Sequence, residues 1–267
     1  MPELPEVEIV ARNLRSWAGG KRLSAVDLRD SSLLAEPTLR NGLVGRTLAS
    51  VQRRAKHLVA HLDDEALIFH FRMTGKLVQV EAEEPRFLRM LMSFEDGTRV
   101  GFKDQRRLGT VLRLPSEQVE AFFLERGLGP EPWPEARDGL WWQERYRGSR
   151  GPLKPALMVQ ERVAGLGNIL ATEICWQARL DPQAPTSGLD QAQWQRVAQA
   201  TKSVIERTLS LESGPEVHYL AEAGASRTSP FSVYGREGLG CPRCQSPIAR
   251  FRQSGRSTFW CAPCQTR

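Results

Sequence analysis

The sequence predicts an α+β fold: an antiparallel β-sandwich or barrel preceded by one helix, then a helical region, then a small cysteine-held hairpin. Three observations predict it. Short β-rich runs separated by turn residues fill residues 23–114, helical spacing takes over beyond about residue 155, and four cysteines stand in two close pairs near the C-terminus.

At the start of the chain Pro5 suits a first helical position, and Glu6 and Glu8 suit the positive end of the helix dipole. Val7, Val10, Ala11, Leu14 and Trp17 then recur on one face until Gly19-Gly20 ends the run. The expected strands are Leu23 to Leu28, Thr47 to Val51, Leu58 to Leu62, Ala66 to Met73, Lys76 to Val80, Phe87 to Phe94, Thr98 to Lys103 and Thr110 to Leu114, with Asp63-Asp64 and Asp96-Gly97 among the turns. The stretch from Gly127 to Pro134 holds three prolines and two glycines and can continue neither a helix nor a central strand, so the interdomain hinge is placed there. Beyond it helices are expected over Pro155 to Val163, Asn168 to Ala178 and Asp190 to Leu211, the first two joined by Ala164-Gly165-Leu166-Gly167. The last pair of strands is expected over Ile248 to Phe251 and Ser257 to Trp260, around Gln253-Ser254-Gly255.

A chain of 267 residues buries an ample core and is long enough for two domains, or one and a small module. With 40% hydrophobic and 25% charged residues its composition is that of a globular protein. No apolar run approaches the ~20 residues of a membrane span, and the first residues have neither the basic nor the apolar part of a signal peptide. The expectation is a cytoplasmic protein. The net charge of +6 suggests an anionic partner without naming one. Arginine supplies nearly all of the positive charge, the only lysines being Lys21, Lys56, Lys76, Lys103, Lys154 and Lys202.

The cysteines carry more specific information. Cys241-Pro242-Arg243-Cys244 and Cys261-Ala262-Pro263-Cys264 form a C-x2-C-x16-C-x2-C pattern, in which two turns each present two thiolates and together complete a closed tetrahedral site. One structural zinc ion is expected, rather than disulfides or a redox pair. From Arg227 to the end there are seven arginines and a single acid, Glu237, so this ribbon alone holds a charge of +6 and is suited to phosphate contacts. The fifth cysteine, Cys175, reads as a core residue.

Removal of Met1 would leave Pro2 with a free secondary amine of pKa about 8, partly unprotonated at neutral pH. Such an amine can attack a sugar carbon and hold the resulting positive charge as an iminium ion. Glu3 and Glu6 follow at once and could act as acid or base beside it, although helix capping alone would also explain them.

Taken together, Pro2-Glu3-Leu4-Pro5-Glu6-Val7-Glu8, the segment Val163-Ala164-Gly165-Leu166-Gly167-Asn168-Ile169, and Tyr234-Gly235-Arg236 with the four-cysteine ribbon resemble the formamidopyrimidine-DNA glycosylase and endonuclease VIII family. The resemblance spans essentially the whole chain in order. It implies an N-terminal β-sandwich flanked by helices, a helix-two-turn-helix domain and a zinc finger, with DNA bound between them. The expected domains are residues 1–128, 136–226 and 227–267. It further implies that Pro2 is the nucleophile, Glu3 the acid/base residue, Glu6 a supporting acid and Lys56 a lysine reaching a phosphate beside the lesion. Asn168 and Arg256 match two further phosphate clamps, and Lys154 resembles a DNA-facing lysine, though it also reads as a solvated surface lysine.

Work on a base in duplex DNA requires the nucleotide to be extruded and the gap filled. Met73 matches the family's void-filling methionine, and Arg106 and Leu108 match the arginine and aromatic wedge facing the orphaned base. Two departures stand out: Leu108 replaces a Phe, and Arg72 replaces the Gly usual before the methionine. The segment from Ser213 to Phe231, in the place of the loop that covers 8-oxoguanine, is also altered and shorter. The resemblance thus implies a monomeric, nucleoid-associated glycosylase/AP lyase that excises 8-oxoguanine and formamidopyrimidines from double-stranded DNA. Oxidised pyrimidines are the alternative substrate class, and a non-catalytic damaged-DNA-binding protein is the rival of another kind.

Overall fold

A computed structural model describes residues 2–33, 42–211 and 231–266. They form two compact units, the first ending at Arg126 and the second beginning at Gly127.

In the first unit, helix α1 (Leu4–Ala18) begins where Glu3 and Glu6 cap each other reciprocally, and it buries Leu4, Val7, Val10, Ala11 and Leu14. Trp17, expected on that face, is only half-buried, and Ala18 occupies the covered position instead. Eight strands follow: β1 (Leu23–Leu28), β2 (Leu48–Arg54), β3 (His57–Leu62), β4 (Glu65–His70), β5 (Lys76–Gln79), β6 (Leu88–Phe94), β7 (Arg99–Lys103) and β8 (Thr110–Pro115). They pair antiparallel in two sheets, of order β1-β6-β7-β5 and β2-β3-β4-β8. Two separate sheets decide between sandwich and barrel in favour of the sandwich. Its interior is aromatic: the ring of Phe69 on β4 lies 6.0 Å from that of Phe102 on β7, and Phe71 lies 5.9 Å from Phe102. All three are almost fully buried, which contributes on the order of 2 kcal/mol each.

Strand β4 stops at His70, three residues short of the expected end, because Arg72 takes a left-handed φ of +53° that no ladder accommodates. A short helix, α2 (Val119–Glu125), follows β8. Its seven residues are too few to show a helical period, which is why the sequence did not announce it.

The second unit contains α3 (Gly139–Arg145), α4 (Leu153–Leu157), α5 (Asn168–Gln177), α6 (Gln191–Leu211) and a hairpin of β9 (Ala249–Gln253) and β10 (Arg256–Trp260). Helix α3 starts at Asp138, whose side chain accepts from the Trp141 backbone at 2.8 Å. Trp142, Tyr146 and Trp194 stack in sequence and join α3 to α6. Every residue of α5 from Ile169 to Trp176 is buried, so this helix is the axis of the unit.

Helix α4 ends at Leu157, whereas helix was expected as far as Val163. Gln160 explains the difference. Its amide donates to the carbonyls of Met158 and Leu166 and its oxygen accepts from Gly165, so the segment folds as a side-chain-held loop. The hinge backbone adds to this, Gly129 donating to Gln160 O and Ala164 donating to Pro130 O.

The β9–β10 hairpin turns on two residues only, Ser254 and Gly255, at φ +48° and +76°, the mirror-image turn that matches strand twist. No helix among the described residues is long and apolar enough to cross a membrane.

Candidate active site and metal centre

The head of α1 gathers three of the predicted residues. Pro2, Glu3 and Glu6 are all buried. The Glu3 backbone N–H donates to Glu6 Oε2 at 3.0 Å, and the Glu3 side chain accepts from the Glu6 backbone. Burial, and secondarily the neighbouring Glu3, push the Glu6 carboxyl up to about 7. A group at that value can hold or release a proton at neutral pH, which is what acid/base work beside an amine needs.

Lys56 lies with Ala55 in the two-residue turn between β2 and β3, where Ala55 is left-handed at φ +53°. The turn is tied to α1 by Arg53, whose Nε contacts Glu8 Oε2 at 3.2 Å and whose Nη1 donates to Ala55 O. Beside it, His57 and His70 meet edge to face with centroids 4.6 Å apart. Burial and then His70 lower His57 to about 3, and burial, Arg72 and Lys56 lower His70 to about 4, so both rings are neutral at physiological pH. Reading the sequence missed this pair. Their facing positions on β3 and β4, exposed only by the register, were the available signal.

Met73, Arg106 and Leu108 are exposed and lie on two turns of the sandwich. Met73 and Leu108, at 40% and 43%, are among the few large apolar side chains so exposed among the described residues. The left-handed Arg72 also shows why glycine suits the position before the methionine: the backbone there has the conformation that glycine adopts at least cost.

In the second unit Asn168, Arg256 and Lys154 come together, with one correction. Lys154 is not a solvated surface lysine: it is 1% exposed. Its ammonium donates to Asn168 Oδ1 at 2.7 Å, Thr258 Oγ1 at 2.8 Å and Ser257 O at 3.1 Å. Asn168 Nδ2 donates to the same Ser257 carbonyl at 3.2 Å. The first residue of α5 is therefore bonded to the hairpin strand that begins with Arg256, whose exposed guanidinium lies near Met158. A buried ammonium needs such a set of acceptors, and no local sequence signal announced it.

Glu173 was also not anticipated. Fully buried in α5, it accepts from Ser232 N, Val233 N and Tyr234 N, each at 2.9 Å, and from Arg207 Nη2 at 2.9 Å. It thereby fastens the chain leading into the cysteine ribbon. Residues 213–230 of the altered loop, together with Arg227 and Arg267, lie outside the described residues.

The sulfurs of Cys241, Cys244, Cys261 and Cys264 all lie within 4.8 Å of one another. Cys241 and Cys264 are 3.9 Å apart, and Cys244 and Cys261 3.4 Å. Tetrahedral zinc with Zn–S of ~2.3 Å requires sulfurs about 3.8 Å apart, so the donor set fits the ion in number, chemistry and size. Gln265 supports it, accepting from Cys261 N and donating to Leu180 O. Cys175 stands apart, fully buried, its thiol pushed up to about 12 by burial.

Comparison with known proteins matches the formamidopyrimidine-DNA glycosylase N-terminal domain to residues 1–111, the H2TH domain of the same enzymes to 128–217, and the zinc finger found in FPG and IleRS to 238–267. The formamidopyrimidine-DNA glycosylase of Streptococcus mutans is 32% identical over 274 residues, covering 99% of each chain. Among solved structures, the complex of Lactococcus lactis Fpg with abasic-site DNA has a TM-score of 0.89 at 29% identity over all of both chains. A complex of the same bacterium's wild-type Fpg with DNA containing an oxidised pyrimidine has a TM-score of 0.88 at 30% identity, over 99% of each.

Proposed function

Since the chain belongs to the formamidopyrimidine-DNA glycosylase family, we propose that it excises oxidised bases from duplex DNA and cleaves the abasic site through a Schiff base on Pro2. The observation that carries this reading is the head of α1, where the Glu6 carboxyl, poised near neutrality, holds the backbone of Glu3 next to Pro2. Once Met1 is removed, the Pro2 nitrogen attacks C1′ of the damaged nucleotide. The N–C1′ bond forms, the glycosidic bond breaks, and the base leaves with a proton supplied by an acid. Sugar-ring opening gives the iminium ion, with Glu3 as the group that shuttles protons. Loss of a C2′ proton then expels the 3′ phosphate (β-elimination), and loss of a C4′ proton expels the 5′ phosphate (δ-elimination). Hydrolysis returns free Pro2.

Lys56, Asn168 and Arg256 are assigned to backbone phosphates, for which an α-helix N-terminus and an arginine fork are suited. Met73, Arg106 and Leu108 are assigned to the gap left by the extruded nucleotide. The three functional segments are 1–128, 136–226 and 227–267. The zinc ion, held by the four cysteines, supplies structure to the ribbon and takes no part in the reaction. The protein acts as a monomer in the cytoplasm, on nucleoid DNA. Oxidised purines are the leading substrates, and Leu108 in place of an aromatic wedge favours oxidised pyrimidines as a second class.

Borohydride trapping tests the chemistry. Protein lacking Met1 should form a covalent adduct with abasic or lesion-bearing duplex, and Pro2→Gly, which exchanges the secondary amine for a primary one, should diminish it; an adduct undiminished by that change would overturn the assignment of Pro2. Binding without an adduct or strand scission would leave a DNA-binding protein and overturn the enzyme. A panel of 8-oxoguanine, ring-opened purine and oxidised pyrimidine duplexes ranks the lesions.

A further inference from the structure

We propose that Asp104 is the positioning residue that sets Met73, Arg106 and Leu108 as a single wedge. This rests on the glycosylase reading and assigns a part to a residue that reading leaves unused. Asp104 is completely buried at the end of β7, yet its carboxylate serves two surface turns at once. Its Oδ1 accepts from Thr74 Oγ1 and, at 3.1 Å, from Arg106 N. Its Oδ2 accepts from Leu108 N and Gly109 N, both at 2.8 Å. Thr74 Oγ1 also accepts from Arg106 N at 3.1 Å, so the residue after Met73 is bonded directly to the turn that bears the other two wedge side chains.

The packing beneath points the same way. A Cβ on Gly75 would lie 3.0 Å from Phe102 Cζ, and one on Gly109 would lie 2.7 Å from the same atom, so both turns rest on one aromatic ring. Arg72 and Arg107, in the two turns, are both left-handed at φ +53° and +56°. Such non-glycine conformations persist where surrounding bonds over-determine them, and the Asp104 carboxylate makes those bonds on either side of Arg107, while Arg72 N donates to His70 Nδ1. Arg89 Nε, donating to Asp104 O at 2.8 Å, holds the aspartate's own backbone. The backbone of the wedge-bearing turns is thereby held while the side chains stay exposed, the preorganisation that insertion into a base stack requires.

The test separates duplex opening from chemistry. Asp104→Asn keeps the shape but sets an amide against backbone donors. On a lesion duplex with 2-aminopurine beside the lesion, this variant should lose about tenfold or more in base excision and in the fluorescence phase that reports unstacking. Strand scission of a single-stranded abasic oligonucleotide, where nothing has to be extruded, should stay within about twofold of wild type. Thr74→Val, which removes the two bonds of the Thr74 hydroxyl but leaves Asp104 bonded to the second turn, should shift the duplex reaction the same way by less, and it serves should Asp104→Asn fold poorly. Equal losses on both substrates, or no loss on the duplex, would overturn the assignment. A wild-type chain inactive on both would overturn the glycosylase reading itself, and this assignment with it.

Discussion

The head of α1 and the second unit bury charge in opposite ways. At the head of α1 two carboxylates are buried together, and the result is a Glu6 whose acidity is shifted to about 7 by burial and by Glu3. In the second unit the buried charges are provided for: Lys154 has three acceptors, Glu173 has an arginine and three backbone donors, and the four thiolates have the geometry of a zinc site. A buried charge left partly uncompensated is a reservoir for proton chemistry, whereas a fully partnered one ties distant segments together. The contrast separates the proposed reactive centre from a scaffold, and it can be broken in three ways.

Removal of the metal should have the largest effect, since zinc binding to such ribbons is worth ~10–16 kcal/mol in isolated finger peptides. Full chelation, or Cys261→Ser, should disorder the β9–β10 hairpin and reduce DNA affinity by orders of magnitude, while the sandwich keeps its melting transition. Fluorescence anisotropy and calorimetry would show both, and affinity unchanged by chelation would contradict the assignment.

Lys154→Met comes next. It leaves Asn168 Oδ1, Thr258 Oγ1 and Ser257 O without their cation and should cost about 3 kcal/mol, read from denaturant unfolding, with weaker DNA binding. A variant with wild-type stability would show that the ammonium joins nothing.

The third effect, reaching a comparable size only at the alkaline end of its pH window, should have the opposite sign. Between about 4.5 and about 7 the folded state binds more protons at Glu6 than the unfolded state does, so this residue's contribution to stability falls as pH rises through that window. Below 4.5 both states are protonated and the contribution is intact. Glu6→Gln should remove the fall, worth up to roughly 3 kcal/mol, and so melt higher than wild type at pH 8 while losing activity. A variant that melts lower at pH 8 would place Glu6 among the satisfied charges.

The sandwich strands were legible because alternation and turn residues are local signals, and most strand limits fall within a residue or two of their expected places. The cysteine pattern was legible for the same reason, its pairs being close in the chain. Helices α2 and α3 were not, as seven residues carry too little periodicity. Gln160 ended α4 through side-chain bonds that no propensity describes. Of the site, Pro2, Glu3 and Glu6 could be read because they are consecutive or one turn apart. The burial of Lys154 was not legible because its partners lie up to 104 residues away.

The sequence by itself determined the order of the strands, the four thiolates, the Pro2-Glu3 head of the chain and the charge of the ribbon, because composition and short spacings encode them. Only the tertiary structure decided which charges are satisfied. Asp104 meets Thr74 across 30 residues, His57 meets His70 edge to face through strand register, and Lys154 reaches the hairpin. The energy of a buried charge depends on what surrounds it in space, and that surrounding exists only once distant segments have packed.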